Sequence, residues 1–554
     1  MPENIAQHAF NELLSCYYTA WFRFHPEIAV QAGVPGYEDL LRPYADDQIG
    51  ALIALDEKLL SSLDEFDFSA LDVDAQIDYS LLYNAAAWEV HQLLDHDWRY
   101  ARPQDYVPVN AIHQLLIRPV ENLHTAFKHR MQQVPDYLRG ARAYLSQQPG
   151  KIPVEWLHSA ALQAQAGASY FRSLHKHPLM TKKFQNPARL QPLCDQAASA
   201  LDDFVRFLQH DLAPRATGRF ACGEADFRSL LREKHFLDVE PDALHAFGEK
   251  LFHETRAQLL TLTREIRGDD DVEQALADIR NDYPHGGPDA VLDAYRHSMK
   301  AACDFVATRQ LVSVPASQIL KVMHTPEYLR NEIPFAAYEE PCYNDPQQLG
   351  HYYVTPAVSE GDLLSHNRVS IDLTCVHEAF PGHHLQFVTA NLNPVNSLPR
   401  LLNASATLYE GWALYCEDLM QEQGYLHQPA HRLMMLHDRL WRAMRVMLDV
   451  ELHCRGLSVD AAAQRMCREL GFTIDEARAD LAWYIQNPGV PMGYATGWAL
   501  IRALREQQSQ QAGFDLKDFH NQLLSVGSCA LPMVICRAFG QDSWLAARHS
   551  VFND

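Results

Sequence analysis

Apolar side chains recur at intervals of three and four, in stretch after stretch, over the first 310 residues. Residues 5–24 carry Ile5, Phe10, Leu13, Leu14, Tyr17 and Trp21, the spacing that puts one stripe on one face of a helix. The same pattern returns at about 47–66, 73–96, 110–147, 154–176, 189–211, 241–267 and 289–308. Breakers separate the runs: Pro35-Gly36, Pro149-Gly150, Pro214 and Gly286-Gly287-Pro288. The acidic tract GDDDVEQ (268–274) reads as a solvated turn or a helix start. There is no fixed-period repeat and no long linker. At 554 residues the chain exceeds one ordinary core, so it is either several domain equivalents or one large helical enzyme fold.

Between about 311 and 375 the texture changes. LVSVP, LKVMHTP, AAYEEPCY and HYYVTP are short, β-branched or aromatic, and cut by prolines, which are strand and turn signals. Helical patterning resumes at about 371. The expected organisation is a helical region over 1–310 and a small sheet plus helices over 311–554, integrated into one mainly α fold. Hydrophobic residues at 47% and charged residues at 21% are ordinary for a globular chain. The net charge of −23 argues against nucleic acid and anionic membranes as partners, since both need a basic face. No apolar run reaches the length of a transmembrane helix, and the first residues lack a basic, then apolar, secretory pattern. Eleven scattered cysteines without a CxxC pair read as buried free thiols in a reducing compartment, so a cytoplasmic location is expected.

The stretch richest in chemistry is VHEAFPGHHLQ, residues 376–386. In a zinc-peptidase HExxH helix, two His at i and i+4 share a face and the Glu at i+1 addresses the attacking water. Here position i+4 is Pro381, and no other HExxH or HxxEH exists. His377 and His383, six apart, would stand about 120° out of line in an ideal helix. His384, seven apart, would share the face but lie roughly 10 Å along the axis. Pro381 disrupts the helix, and Gly382 permits an unusual backbone angle. A two-residue bulge at Pro-Gly would therefore bring His383 to the place of the second ligand. Taken singly, each His reads as a capping or core residue; three His and a Glu at one break read as a metal site.

HEAFPGHHLQ followed by LYEGWALYCEDLM (408–420) resembles the bacterial "domain of unknown function 885" family, whose pattern is HExxPGHxxQ and then EGWAxYxE. That family is similar to metallopeptidases with a Glu as third zinc ligand, including carboxypeptidase Taq, thimet oligopeptidase and angiotensin-converting enzyme. The resemblance implies a large helical, gluzincin-type fold with a deep cleft and a small sheet before the active-site helix. It implies one zinc ion per chain on His377, His383 and Glu410, with Glu378 as general base. His384 falls at a permissive position and is an alternative ligand or a hydrogen-bond donor to the transition state. Gln386 matches the terminal Gln and would orient a His from behind. Glu417, i+7 from Glu410 on the same face, reads as a salt-bridge or supporting carboxylate rather than a ligand.

Two further constellations stand out. Arg442, Arg445, Asp449 and His453 fall at i, i+3, i+7 and i+11 on a helix otherwise apolar, a polar stripe that is costly to bury unless its members pair. It resembles the family's RxxRxxxDxxxH element. The arginines could grip a substrate carboxylate or tie helices together, with Asp449 read as structural. In NPGVPMGYATGW, Tyr494 and Gly497 match the family's Tyr-x-x-Gly element. Tyr494 would steady an oxyanion or pack in the core. PMGY departs from the family's usual version. Tyr353, with Tyr352 in GHYYV, matches an aromatic pair that lines the cleft or fills the strand core.

The expected function is zinc-dependent hydrolysis of amide bonds in short peptides. Glu378 would take the proton of the attacking water and pass it to the leaving amine, while Tyr494 or His384 steadies the oxyanion. Two alternatives stay open: hydrolysis of a small-molecule amide in a specialised pathway, and a non-catalytic binding protein with a degenerate metal site. A homodimer is also left open.

Overall fold

The structure is a computed structural model that describes residues 5–326, 330, 333 and 335–553. The chain forms two compact units. The first comprises Met1–Phe220 with Pro326–Pro334 and Cys342–Pro346; the second comprises Ala221–Thr325, Phe335–Pro341 and Gln347–Asp554.

The first unit is helical. Asp46–Asp64 pairs with Val73–Asp95, whose start is capped by Asp72 accepting the Ala75 N–H at 2.8 Å. Val154–Leu174 lies along Gln191–Arg206. Gly167 lets Val109 approach, since a Cβ there would stand 2.2 Å from the Val109 methyl. Phe127, Met131, Leu138, Phe171 and Leu201 lie at the centre of this core. The run expected at 110–147 is two helices, Val109–Ile117 and Leu123–Gln147. Pro119 explains the break: it has no N–H to continue the ladder, and Arg118 before it is extended at ψ 160°. Short helices at Pro26–Ala32 and Pro178–Lys183 are too brief to show a periodicity.

The second unit holds a small sheet and the motif-bearing helices. Its strands are β1 (Ile319–His324), β2 (Ala336–Glu339) and β3 (Leu349–Val354), in the order β1-β3-β2. β1 runs parallel to β3 and β2 antiparallel, with Tyr338 opposite Tyr352 and Ala337 opposite Tyr353. LVSVP (311–315), expected as a strand, is irregular. The acidic tract starts a helix, Val272–Arg280, with Asp271 accepting the Gln274 N–H at 2.9 Å.

Five helices of this unit matter below. The motif helix, Arg368–Glu378, begins where Asn367 caps the Ser370 N–H, and its continuation is His383–Asn391. The carboxylate helix is Ala406–Glu422, the stripe helix Pro429–Cys454 and the tyrosine helix Gly493–Ser509. The stripe helix lies against Pro241–Arg267, where Gly248 would place a Cβ 3.0 Å from Val446. Among the described residues no helix is long and apolar enough to cross a membrane, and no disulfide forms. Cys194, Cys342, Cys375, Cys416 and Cys529 are buried, whereas Cys16 is exposed, so burial of the thiols is only partial.

Candidate metal centre

The break between His377 and His383 inserts two residues into an otherwise continuous helical path. An α-helix bonds each N–H to the carbonyl four residues back. Here the Gly382 N–H reaches the Val376 carbonyl at 3.1 Å and the Leu385 N–H reaches Ala379 at 3.2 Å, both six back. The Gln386 N–H then returns to a spacing of four, on Gly382. The indispensable property of Gly382 is its size rather than its φ of −69°: a Cβ would stand 1.7 Å from the His377 carbonyl oxygen. From the carboxylate helix, Trp412 Nε1 donates to the Pro381 carbonyl at 2.8 Å and braces the insertion.

With two residues looped out, His377 and His383 face one another, their rings 4.9 Å apart and nearly perpendicular. Glu410 completes the group, and one donor atom from each of the three lies within 4.8 Å of the others. Glu410 Oε2 stands 3.5 Å from His377 Nε2 and 3.2 Å from His383 Nε2. Donor atoms at the corners of a tetrahedron with arms of about 2.05 Å are about 3.3 Å apart, so the spacing suits a zinc-sized cation. Glu410 Oε2 is buried and makes no hydrogen bond among the described residues, which leaves its lone pairs for an ion. Glu378 lies alongside, its Oε2 4.0 Å from His383 Nε2.

The electrostatics agree with this geometry. Burial works against the charged form of His377, but Glu410 and Glu417 outweigh it and bring its pKa up to about 10. Burial would raise the Glu410 carboxyl, yet His383 and His377 hold it well below the usual carboxylate range. The cluster thus demands a positive charge opposite Glu410, which a proton or a cation satisfies. Glu417 accepts from His377 Nδ1 at 2.8 Å, so the Nε2 atom faces Glu410. Burial raises the pKa of Glu378, against the pull of His383 and His377.

The profile of a family described as "Bacterial protein of unknown function (DUF885)" matches residues 26–535. The chain belongs to this family. No curated protein matches the DUF885 chain. Among solved structures, a candidate lipoprotein of unknown function from Shewanella oneidensis has a TM-score of 0.76 at 21% identity, covering 95% of this chain and 98% of that one. A candidate lipoprotein from Colwellia psychrerythraea has a TM-score of 0.77 at 17% identity, covering 99% of this chain and 100% of that one. Both share the fold. An M32 carboxypeptidase from Deinococcus radiodurans R1 has a TM-score of 0.42 at 13% identity, covering 97% of this chain and 100% of that one.

In this DUF885 protein the other motif residues fall into two groups, and a third group of residues lies outside the motifs. Tyr494 joins the cluster: its ring lies 6.4 Å from that of His377, with the planes nearly parallel. Burial and then Glu410 keep its hydroxyl protonated. The stripe helix passes the same cluster. Arg442 acts electrostatically on Glu378, and the Arg445 guanidinium lies 4.6 Å over the Tyr494 ring. Asp449, fully buried, accepts from the Gly489 and Met492 N–H groups and so anchors the segment entering the tyrosine helix.

A second group is engaged elsewhere. Both ring nitrogens of His384 are occupied, Nδ1 by the Tyr338 hydroxyl at 3.1 Å and Nε2 by Gln318 at 2.8 Å. His384 therefore stands outside the three-residue group, and neither nitrogen is left to bind a metal or an oxyanion. Gln386 donates to Ser528 at 2.7 Å and orients no histidine by that bond; Glu417 does so instead. Arg445 binds Tyr484 at 2.8 Å and Asp480 at 3.1 Å, and His453 is buried with Nε2 3.2 Å from the Tyr484 carbonyl oxygen. These contacts tie helices together. Tyr353 points away from the cluster. Strand alternation puts Tyr352 and Gly350 on the face that meets His384, while the Tyr353 hydroxyl donates to Glu339 at 2.9 Å.

The third group was invisible to motif reading. Tyr338 of β2, Phe387 and Tyr409 surround the His383 ring at 6.0 to 6.4 Å, all half-buried. Tyr409 is the residue before Glu410, which is the one signal that pointed to it.

Proposed function

We propose that this chain is a zinc-dependent hydrolase of amide bonds, acting on short peptides. The observation that carries the reading is the meeting of His377 Nε2, His383 Nε2 and an unbonded Glu410 oxygen beside a second carboxylate, Glu378. A purely structural cation has no use for that fourth group. Zinc held by the three side chains would supply a Lewis acid and an activated water at neutral pH. Glu378, whose pKa burial raises, takes a proton from the attacking water and delivers it to the leaving nitrogen. The C–N bond breaks, the hydroxyl goes to the acyl carbon, the proton goes to the amine, and Glu378 ends as it began. The protonated Tyr494 hydroxyl donates to the developing oxyanion. The choice of peptides as substrate comes from the motif resemblance.

Metal analysis of the purified protein beside three variants tests this. Wild type should carry about one zinc per chain. Glu378→Gln should keep the metal and lose turnover on a panel of free and blocked peptides by at least about a hundredfold. His377→Ala and Glu410→Ala should lose the metal. Full activity in Glu378→Gln would sink the reading.

A further inference from the structure

Taking the hydrolase reading as its basis, we infer that the substrate bears a free carboxylate on the residue it releases, and that Arg442 receives it. The stripe helix offers two arginines to the cluster, and they differ in what already holds them. Arg445 Nε and Nη2 are bonded to Tyr484 and Asp480. Arg442 has far less. Its Nη1 makes a long 3.4 Å contact to the Asp438 carbonyl and a loose 3.7 Å ion pair with the Asp438 carboxylate. Its Nε is buried without a hydrogen-bond partner among the described residues. A guanidinium has five N–H donors, and one left short of acceptors at a half-buried position is costly unless a ligand completes it.

The guanidinium is nevertheless held in place. It packs 4.3 Å over the Trp441 ring, and Trp441 is itself fixed by Nε1 bonds to Asp480 at 2.8 Å and to the Tyr484 hydroxyl at 3.1 Å. A rigid, under-bonded fork suits bidentate capture of a carboxylate.

Its position selects which carboxylate. Arg442 and Arg445 stack on the same Trp441 ring, at 4.3 and 4.2 Å, and Arg445 also lies 4.6 Å over the Tyr494 ring of the cluster, where Glu378 serves the leaving nitrogen. In an amino acid the carboxylate carbon lies only about 2.5 Å from the amine nitrogen, across one Cα. A cation on this side of the cluster would meet the carboxylate of the residue being released. The substrate class is a peptide with a free C-terminus cut at its last bond, or an N-acyl amino acid. With a net charge of −23 the chain as a whole repels such anions, so recognition has to be local.

The test uses matched pairs, a dipeptide or N-acyl amino acid and its C-terminal amide, with the zinc-loaded protein. Wild type should favour the free acid in kcat/KM by about tenfold to a hundredfold. Arg442→Gln should bring the acid-to-amide ratio in kcat/KM close to one, mainly through KM for the acid. Arg442→Lys, which keeps the charge and guards against a folding artefact, should restore part of it. An unchanged acid-to-amide ratio in Arg442→Gln overturns the inference, because a residue that merely supports Glu378 would slow both substrates alike. A second measurement needs no turnover: calorimetric binding of N-benzoylglycine and N-benzoylglycinamide to Glu378→Gln, with and without Arg442→Gln. Preference for the acid that depends on Arg442 supports it even if no hydrolysis is found, whereas equal binding or none counts against it.

Discussion

Within the cluster, His377 is set by a neighbour one step removed. His377 would be free to offer either nitrogen, but its Nδ1 bond to Glu417 leaves Nε2 facing Glu410. Carboxylates behind metal-binding histidines typically contribute tenfold to a hundredfold in affinity. Glu417→Gln should therefore weaken zinc binding by about that factor, read by competition with a chelator, while the helical circular dichroism stays as in wild type. Sequence reading reached His377, His383 and Glu410 because each stands in a spaced motif. It overvalued His384, since adjacency says nothing about which way a ring turns. Gln318 and Tyr338, which hold that ring, lie 66 and 46 residues away along the chain and carry no local signal.

At the scale of elements, glycines decide how closely the helices meet. A Cβ on Gly411 would stand 2.5 Å from the Gly497 Cα, and one on Gly497 would stand 1.9 Å from the Thr407 carbonyl oxygen. The carboxylate and tyrosine helices therefore touch backbone to backbone, one residue from Glu410 and one turn from Tyr494. Gly497→Ala should force them apart, lowering stability by about 1–3 kcal/mol, read as a lower urea midpoint. Most helices were legible, because a 3.6-residue apolar period survives in helices such as Val154–Leu174 and Pro241–Arg267. The strands were legible as a region only. HYYV has large residues at successive positions, so its pattern did not say whether Tyr352 or Tyr353 faces the cluster, and pairing with β2 decides it.

At the scale of the whole molecule, buried histidines make stability depend on acidity. Burial lowers the pKa of His235 to about 3 and of His453 and His520 to about 4. In the unfolded chain these groups take a proton near 6.5. Between the two values the unfolded state binds more protons, so stability falls as pH falls through about 6.5 to 4. Each histidine contributes about 1.4 kcal/mol per pH unit in that window. Asp449, pushed up to about 8 by burial, has the opposite slope and offsets one of them. Asp56, raised to about 9, and His384, lowered to about 3, add one further slope of each sign, so the unfolding free energy in urea should be lower at pH 5 than at pH 7.

The glycine-to-glycine seam has a consequence for how such a centre could work. Two helices locked along their main chains travel as a single body, so the phenol of Tyr494 and the carboxylate of Glu410 keep their mutual distance through any breathing of the surrounding fold. If Tyr494 is the oxyanion donor proposed above, it would be preset, with no lid needed to deliver it.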